Sequence, residues 1–187
     1  LLAHSKLDPK RIRKLGLGAI GFALEGLAYL KQEGAESQAA SNLDRALNSG
    51  QVLSGLRRDV LFVRLAEARL REGRYDLAWL ACDAFRLSAG DSPIRGDVAQ
   101  LGYEAARSWS EGESSNSKAK SALVTASAWV RKDAPGSVQA GEATVRRALA
   151  RAVAVRNPRR AIRILERVEL EVPGSEAVEL QKVFLLS

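Results

Sequence analysis

The chain has 187 residues, enough for one large domain or a short array of repeats. Apolar residues make up 46% of the chain and aromatic residues only 5%, so alanine and leucine dominate the apolar set. These residues favour closely packed helices over sheets. The net charge of +7 is compatible with nucleic acid, acidic proteins or an anionic membrane surface, and the single cysteine excludes an intrachain disulfide.

Helical periodicity and its interruptions divide the chain into a series of predicted helices. Glycine ends some of them, as at Gly34 and Gly73, and proline follows others, as at Pro93 and Pro135. No segment shows the alternation and β-branched enrichment of a strand, so we predict no sheet. The predicted helices span residues 9–33, 36–48, 55–72, 75–88, 94–110, 118–132, 137–155, 159–171 and 175–186.

The stronger breaks recur at a regular distance. Gly50, Pro93, Pro135 and Pro173 follow one another about every 40 residues, which is typical of a helical solenoid. Short connections inside each unit predict antiparallel hairpins. We therefore predict one all-α domain over residues 1–187, a right-handed α–α superhelix. Its hairpins would cover approximately 9–50, 54–92, 94–134 and 137–173, and a terminal helix would cover 175–186.

One unit carries a recognisable pattern. Phe62-x-x-Leu65-Ala66 is followed by Gly73-x-Tyr75-x-x-Ala78, then by Phe85 seven residues later and by a closing Pro93. This resembles the tetratricopeptide repeat family in a divergent form, and weaker copies extend the resemblance from about residue 19 to residue 173. The spacing is wider than the family's, and alanine or arginine fills several of its aromatic positions.

The resemblance implies a non-catalytic scaffold or adaptor for protein–protein interaction. In this family the first helix of each hairpin lines a concave groove that receives a peptide or a partner helix. The aliphatic floor and arginine rim expected here suit a peptide or amphipathic helix with acidic flanks. The groove residues implied by the alignment are Leu24, Lys31, Val63, Glu67, Arg71, Tyr103, Arg107 and Arg146.

Two rows of arginine follow helical spacing. Arg57, Arg64 and Arg71 recur every seven residues, with Glu67 within ion-pair reach of the last two. The second row, which we call the basic stripe, has 4-3-4 spacing and little acidic compensation; it consists of Arg156, Arg160, Arg163 and Arg167. Such stripes are usually solvated helix faces, and an anionic partner is the functional interpretation.

Nucleic acid, and RNA in particular, is the alternative partner for these stripes. Arginine would supply attraction to the phosphate backbone. Aromatic side chains interleaved with the basic ones, which would stack on bases, are missing, because Trp79, Trp109 and Trp129 occupy predicted packing positions.

We expect no enzyme activity, no cofactor and no metal. The one histidine, His4, lies near the terminus, and no catalytic set or phosphate-binding loop is apparent. Residues 16–21 match G-x-G-x-x-G, but without the strand that a dinucleotide site needs, so we assign these glycines to close helix contact. Cys82 sits among apolar residues and is predicted to be a buried, inert thiol.

The apolar run at residues 15–24 is too short to span a bilayer, so we predict a core helix and no membrane span. The sequence begins without methionine, which indicates a fragment or a processed product. A single unpaired cysteine favours the cytoplasm, and a periplasmic or secreted location after removal of a leader is the alternative. The oligomeric state is not predicted.

Overall fold

The computed structural model describes residues 8–51, 53, 55–89, 91–155 and 157–186. Within these ranges the chain forms ten helices and no strand, which confirms the predicted all-α class. The helices are α1 (Pro9–Lys14), α2 (Gly18–Tyr29), α3 (Glu36–Asn48), α4 (Arg58–Arg71), α5 (Tyr75–Ser88), α6 (Arg95–Gly112), α7 (Ser117–Asp133), α8 (Val138–Ala154), α9 (Pro158–Glu171) and α10 (Glu176–Leu186).

The helix limits from α3 onward lie within a few residues of those predicted, and side-chain caps fix three of the starts. The Asn116 side chain accepts a hydrogen bond from the backbone N–H of Lys118 (2.9 Å), and Ser137 Oγ accepts one from Ala140 (3.1 Å). Asn157 caps α9 in the same way. Because the first turn of a helix leaves its N–H groups without backbone partners, these caps determine where α7, α8 and α9 begin.

The prediction of one helix over residues 9–33 is wrong. The chain turns between α1 and α2, where Gly16 has a φ of 61° and Gly18 a φ of 54°. Only glycine adopts this left-handed conformation without strain, so the two glycines end one helix and begin the next. They serve a turn, and not the close helix contact that we expected of them.

The helices pack in chain order from α1 to α10, each against the next. Contacts between next-but-one helices join α4 to α6, α6 to α8 and α8 to α10. Arg95 at the start of α6 forms an ion pair with Asp133 at the end of α7, so these two helices run in opposite directions.

Helices α6 and α8 run in the same direction and in a fixed register. Gln139 donates a hydrogen bond to Glu104 (2.6 Å) across a separation of 35 residues. About two turns further along both helices, Arg146 donates to Glu111 (2.7 Å) across the same 35 residues. We call this the 35-residue register; it means that equivalent positions of two successive even-numbered helices lie side by side.

The core consists mainly of alanine and divides into two clusters. The first runs from Ala23 on α2 to Ala143 on α8, and the second from Val145 on α8 to Val178 on α10. The division falls inside α8, so the last three helices have a core of their own. Among the described residues, no helix combines the length and apolar character needed to cross a membrane.

Candidate functional site

The predicted groove residues on and next to α2 and α4 are exposed or partly buried. Arg71 Nη1 donates a hydrogen bond to the carbonyl oxygen of Leu30 (3.3 Å), which ties the end of α4 to the end of α2. Lys31 follows directly and is exposed, whereas Leu24 and Val63 are partly buried. Glu67 forms an ion pair with Arg64 (2.7 Å) and so is already neutralised.

The groove residues on α6 and α8 form one charge network. Arg146 contacts Glu111 (2.7 Å) and Glu142 (3.0 Å), and Arg107 lies 3.8 Å from Glu142 and 4.0 Å from Glu111. Two arginines thus face two glutamates. An arginine rim for an acidic partner is expected at these two positions, but each arginine is already paired with one glutamate of its own helix and one of the other helix.

Tyr103 also departs from the prediction. Its side chain is completely buried, so it belongs to the core and offers no contact surface. Burial, and next the negative charge of Glu142, raises the pKa of the Tyr103 hydroxyl to about 12. The alignment placed this residue in the groove, but α6 turns this face towards its neighbours.

The basic stripe is described for three of its four members, because Arg156 lies outside the described residues. Arg160, Arg163 and Arg167 are exposed on α9. Arg167 approaches Glu171 at 3.8 Å, and the other two have no ion-pair partner among the described residues. The stripe therefore remains mostly uncompensated in the folded chain.

An open cleft of about 650 Å³ lies between the end of α7, α8 and α9, and five arginines line it. We call it the arginine cleft. Its only acidic lining residue is Glu171, and its floor includes Ala148, Ile164 and Val168. The five arginines are Arg131 from α7, Arg147 and Arg151 from α8, and Arg160 and Arg167 from α9. Arg163 is not among them, although its spacing placed it in the same stripe.

Arg131 is the best anchored of these side chains. Its Nε donates a hydrogen bond to the carbonyl oxygen of Ser127 (2.9 Å), one turn earlier on α7. Partial burial lowers the pKa of its guanidinium, and the positive charges of Arg147 and Arg151 lower it further. Like charges are thus held together here with Glu171 as the only acidic residue of the lining, a disfavoured arrangement that a bound anion would relieve.

A second, larger groove of about 1260 Å³ adjoins the arginine cleft. The two share Arg131, Thr144 and Glu171 as lining residues. The larger groove is mainly apolar near Val145 and Val172, where the turn between α9 and α10 faces α8. The two together form a continuous surface that is basic at one end and apolar at the other.

Sequence reasoning found the α9 half of the arginine cleft and missed the rest. Arg147 and Arg151 are four residues apart on one helix, the same spacing that revealed the stripe on α9. That signal was present. The contribution of Arg131 was not readable, because only packing of the end of α7 against α8 brings it to the cleft.

The other candidate groups are structural. Cys82 is fully buried, as predicted, and burial raises the pKa of its thiol, which keeps it protonated. No group of three or more His, Cys, Asp or Glu side chains in the described part of the chain could hold a metal ion. His4 lies outside the described residues. In the first arginine row, Arg57 pairs with Asp59.

Comparisons of the chain with protein-family models, with curated proteins and with solved structures found no match.

Proposed function

We propose that this chain is a non-catalytic adaptor of the tetratricopeptide-like kind, which binds a peptide or helix of another protein on its even-numbered helices. The observation that carries the proposal is the 35-residue register between α6 and α8. A constant offset between parallel helices is what stacked helical hairpins produce, and about 34 residues is the period of that family.

The contacts between next-but-one helices support the same arrangement. Helices α4, α6, α8 and α10 touch in series, and Arg71 at the end of α4 bonds to Leu30 at the end of α2. We therefore treat the even-numbered helices as one layer, the even layer. The odd-numbered helices would lie behind it as the second helix of each hairpin. Such a layer presents an extended surface to a partner and not a closed reactive pocket. A binding function uses this surface directly.

The part of the layer best suited to recognition lies at the ends of α2 and α4. Lys31 and Arg71 are exposed there, and neither forms an ion pair with a described residue. Partly buried Leu24 and Val63 supply apolar surface on the same helices. An amphipathic helix or an extended peptide with acidic residues beside apolar ones matches this combination.

Affinity capture from the native host with matched variants tests the proposal. The double variant K31E/R71E reverses two exposed charges on the even layer, and K118E/K120E reverses two exposed charges on the odd helix α7. We expect wild type and K118E/K120E to capture the same partner and K31E/R71E to lose it. Equal capture by all three proteins would contradict the use of the even layer.

RNA binding is the second candidate function, and the uncompensated arginine cleft is the observation that favours it. The dependence of affinity on salt separates the two. If RNA binds, the logarithm of the affinity falls with the logarithm of the salt concentration, with a slope of about −0.7 per neutralised phosphate on a single strand. Binding of a protein to a partly apolar surface should change much less.

A further inference from the structure

We propose that the arginine cleft binds an acidic segment of a partner protein, whose carboxylates pair with arginines of α8 and α9 while apolar residues between them rest on the cleft floor. This goes beyond the proposed function, because it concerns the cleft between α8 and α9, away from the ends of α2 and α4, and specifies the chemistry of the occupant. The cleft can serve such a ligand whether or not the even layer binds one.

The charge balance of the cleft is the first argument. Elsewhere the arginines of the described chain commonly have an acidic partner three or four residues away, as in Arg69–Glu72 (2.9 Å) and Arg86–Asp83 (2.7 Å). In the cleft, Arg147, Arg151 and Arg160 have none. Five guanidinium groups that converge around a single carboxylate, Glu171, are arranged to receive an external anion. Guanidinium binds carboxylate in bidentate fashion.

The position of these groups is the second argument. They come from three different helices and line one concavity, so they are brought together by the fold and do not simply point outwards from one helix face. Arg131 is held by its bond to Ser127 and therefore presents its terminal nitrogens with little loss of side-chain entropy. The volume of about 650 Å³ lies within the ~300–1,000 Å³ typical of ligand sites and admits several side chains of a peptide.

The floor of the cleft favours a protein ligand over a nucleic acid. Its lining includes Ala148, Ile164 and Val168 and no aromatic side chain. Bases of a single strand would find nothing to stack on, and phosphates gain nothing from an aliphatic floor. A peptide in which glutamate or aspartate alternates with aliphatic residues satisfies both the arginines and the floor.

The adjoining apolar groove extends the match. It shares Thr144 and Arg131 with the cleft and continues past Val145 towards Val172. A segment that is acidic at one end and apolar at the other would therefore lie across α8 in one direction. This polarity would fix the orientation of the bound segment.

Fluorescence anisotropy on the full chain tests the proposal with four labelled probes. They are a short peptide of alternating glutamate and leucine, the same peptide with glutamine for glutamate, a glutamate-only peptide, and oligouridylate of equal length. We expect the first to bind best, and the glutamine version to bind at least about tenfold more weakly because the charge-assisted hydrogen bonds are lost. Tighter binding of oligouridylate, or equal binding of both leucine-containing peptides, would overturn the proposal.

Charge-reversed pairs locate the site. R147E/R151E changes the α8 side of the cleft and R160E/R167E its α9 side, so each pair should reduce affinity for the alternating peptide by at least about tenfold. R159E/R163E is the matched control: both residues are exposed on α9 and outside the cleft. It should alter affinity by no more than about twofold through the general field. An equal loss with the control pair would overturn the cleft assignment.

The adaptor function and the occupant of the arginine cleft can be tested independently of each other. K31E/R71E leaves the cleft intact and should bind the alternating peptide as wild type does. Loss of partner capture through the even layer together with intact peptide binding would support both proposals. Circular dichroism and thermal unfolding of each variant confirm that the compared proteins are folded.

Discussion

Asp59 shows how a single side chain joins two helices in this fold. It stands in the first turn of α4, where it pairs with Arg57 and accepts a hydrogen bond from Ser92 Oγ (2.7 Å), which follows α5. The hydrogen bond from Arg57 has the largest effect on its carboxyl group; with Ser92 it outweighs the opposing cost of burial and lowers the pKa of Asp59 to about 2. The negative charge also suits the positive end of the helix dipole.

A pH-dependent stability follows for Asp59. Because its pKa is lower in the folded chain, its contribution is complete above the ordinary aspartate value of about 4 and disappears as the pH falls through about 2. We expect D59N to lower the free energy of unfolding at neutral pH by about 1 kcal/mol, after allowance for solvent screening. Urea denaturation at a series of pH values measures this effect, and the difference in free energy from wild type should vanish at the most acidic pH.

Asp97 provides the control, since it also stands in the first turn of a helix, α6, but forms no hydrogen bond or ion pair with the described residues. D97N should cost only a few tenths of a kcal/mol through the helix dipole, and it should lack the steep acid dependence. If the difference in the free energy of unfolding between D59N and wild type stayed constant down to low pH, the charge of Asp59 would not contribute to stability.

Among elements, α2 and α3 depend on an unusually close approach at Gly26. A Cβ atom at this position would lie 2.6 Å from Leu43 Cγ and 3.1 Å from the carbonyl oxygen of Ala39. Only glycine lets the two helices pack at this distance. The surrounding alanines of the core act in the same sense by keeping helix separations short.

We therefore expect G26A to lower the free energy of unfolding by about 1–3 kcal/mol through overpacking. The same substitution at Gly112, the last residue of α6, meets nothing within 4 Å. G112A should be neutral or should stabilise by up to about 1 kcal/mol, because alanine favours the helix. Guanidinium denaturation monitored by circular dichroism compares the two variants. If G26A and G112A changed the free energy of unfolding equally, the helices would be able to move apart at Gly26 without cost.

Most helix limits were predictable because their signals are local. The limits predicted for α3 and α5 coincide with those observed, since Gly34, Gly50 and Gly73 or a polar turn stand at their ends. The break between α1 and α2 was missed although Gly16 and Gly18 carry it, because the surrounding apolar run reads as one helix. Glycine inside a helical pattern does not reveal whether the helix continues or turns there.

The candidate sites were predictable only in part, for a different reason. Spacing along one helix gives the residues that share a face, so the α9 stripe was found from Arg160 and Arg167. Spacing does not show which residues of other helices contact that face. Whether Arg146 is free or paired depends on Glu111 of another helix, and the 35-residue register that pairs them emerges only when α6 and α8 are packed.

In the whole molecule, the charge of +7 is unevenly distributed. Ion pairs neutralise most of the arginines along α4 to α6 and at the junction of α6 with α8, as at Arg64–Glu67 and Arg107–Glu142. Part of the excess lies instead around α8, α9 and the end of α7, where Arg147 and Arg151 repel Arg131. Such repulsion is screened by salt over a Debye length of ~10 Å at 0.1 M.

This distribution predicts a thermal stability that rises with salt. Salt should weaken repulsion in the arginine cleft more than attraction in the short ion pairs, so the Tm of wild type should increase between low and physiological ionic strength. R147Q/R151Q removes two of the repelling charges. It should raise the free energy of unfolding at low salt by about 0.5–1 kcal/mol and flatten the salt dependence. The reason is that the repulsion between charged groups of a binding site lowers the stability of the fold, and neutral side chains remove it.

K118Q/K120Q removes the same number of charges from exposed positions on α7 that lie outside the cleft. It should change the salt dependence of the Tm less than R147Q/R151Q does, because it removes only a weak interaction with the helix dipole at the start of α7. Differential scanning calorimetry of the three proteins at two ionic strengths makes the comparison. If both pairs flatten the curve equally, the repulsion belongs to the net charge of the whole chain, and the cleft holds no concentrated charge for an acidic partner to neutralise.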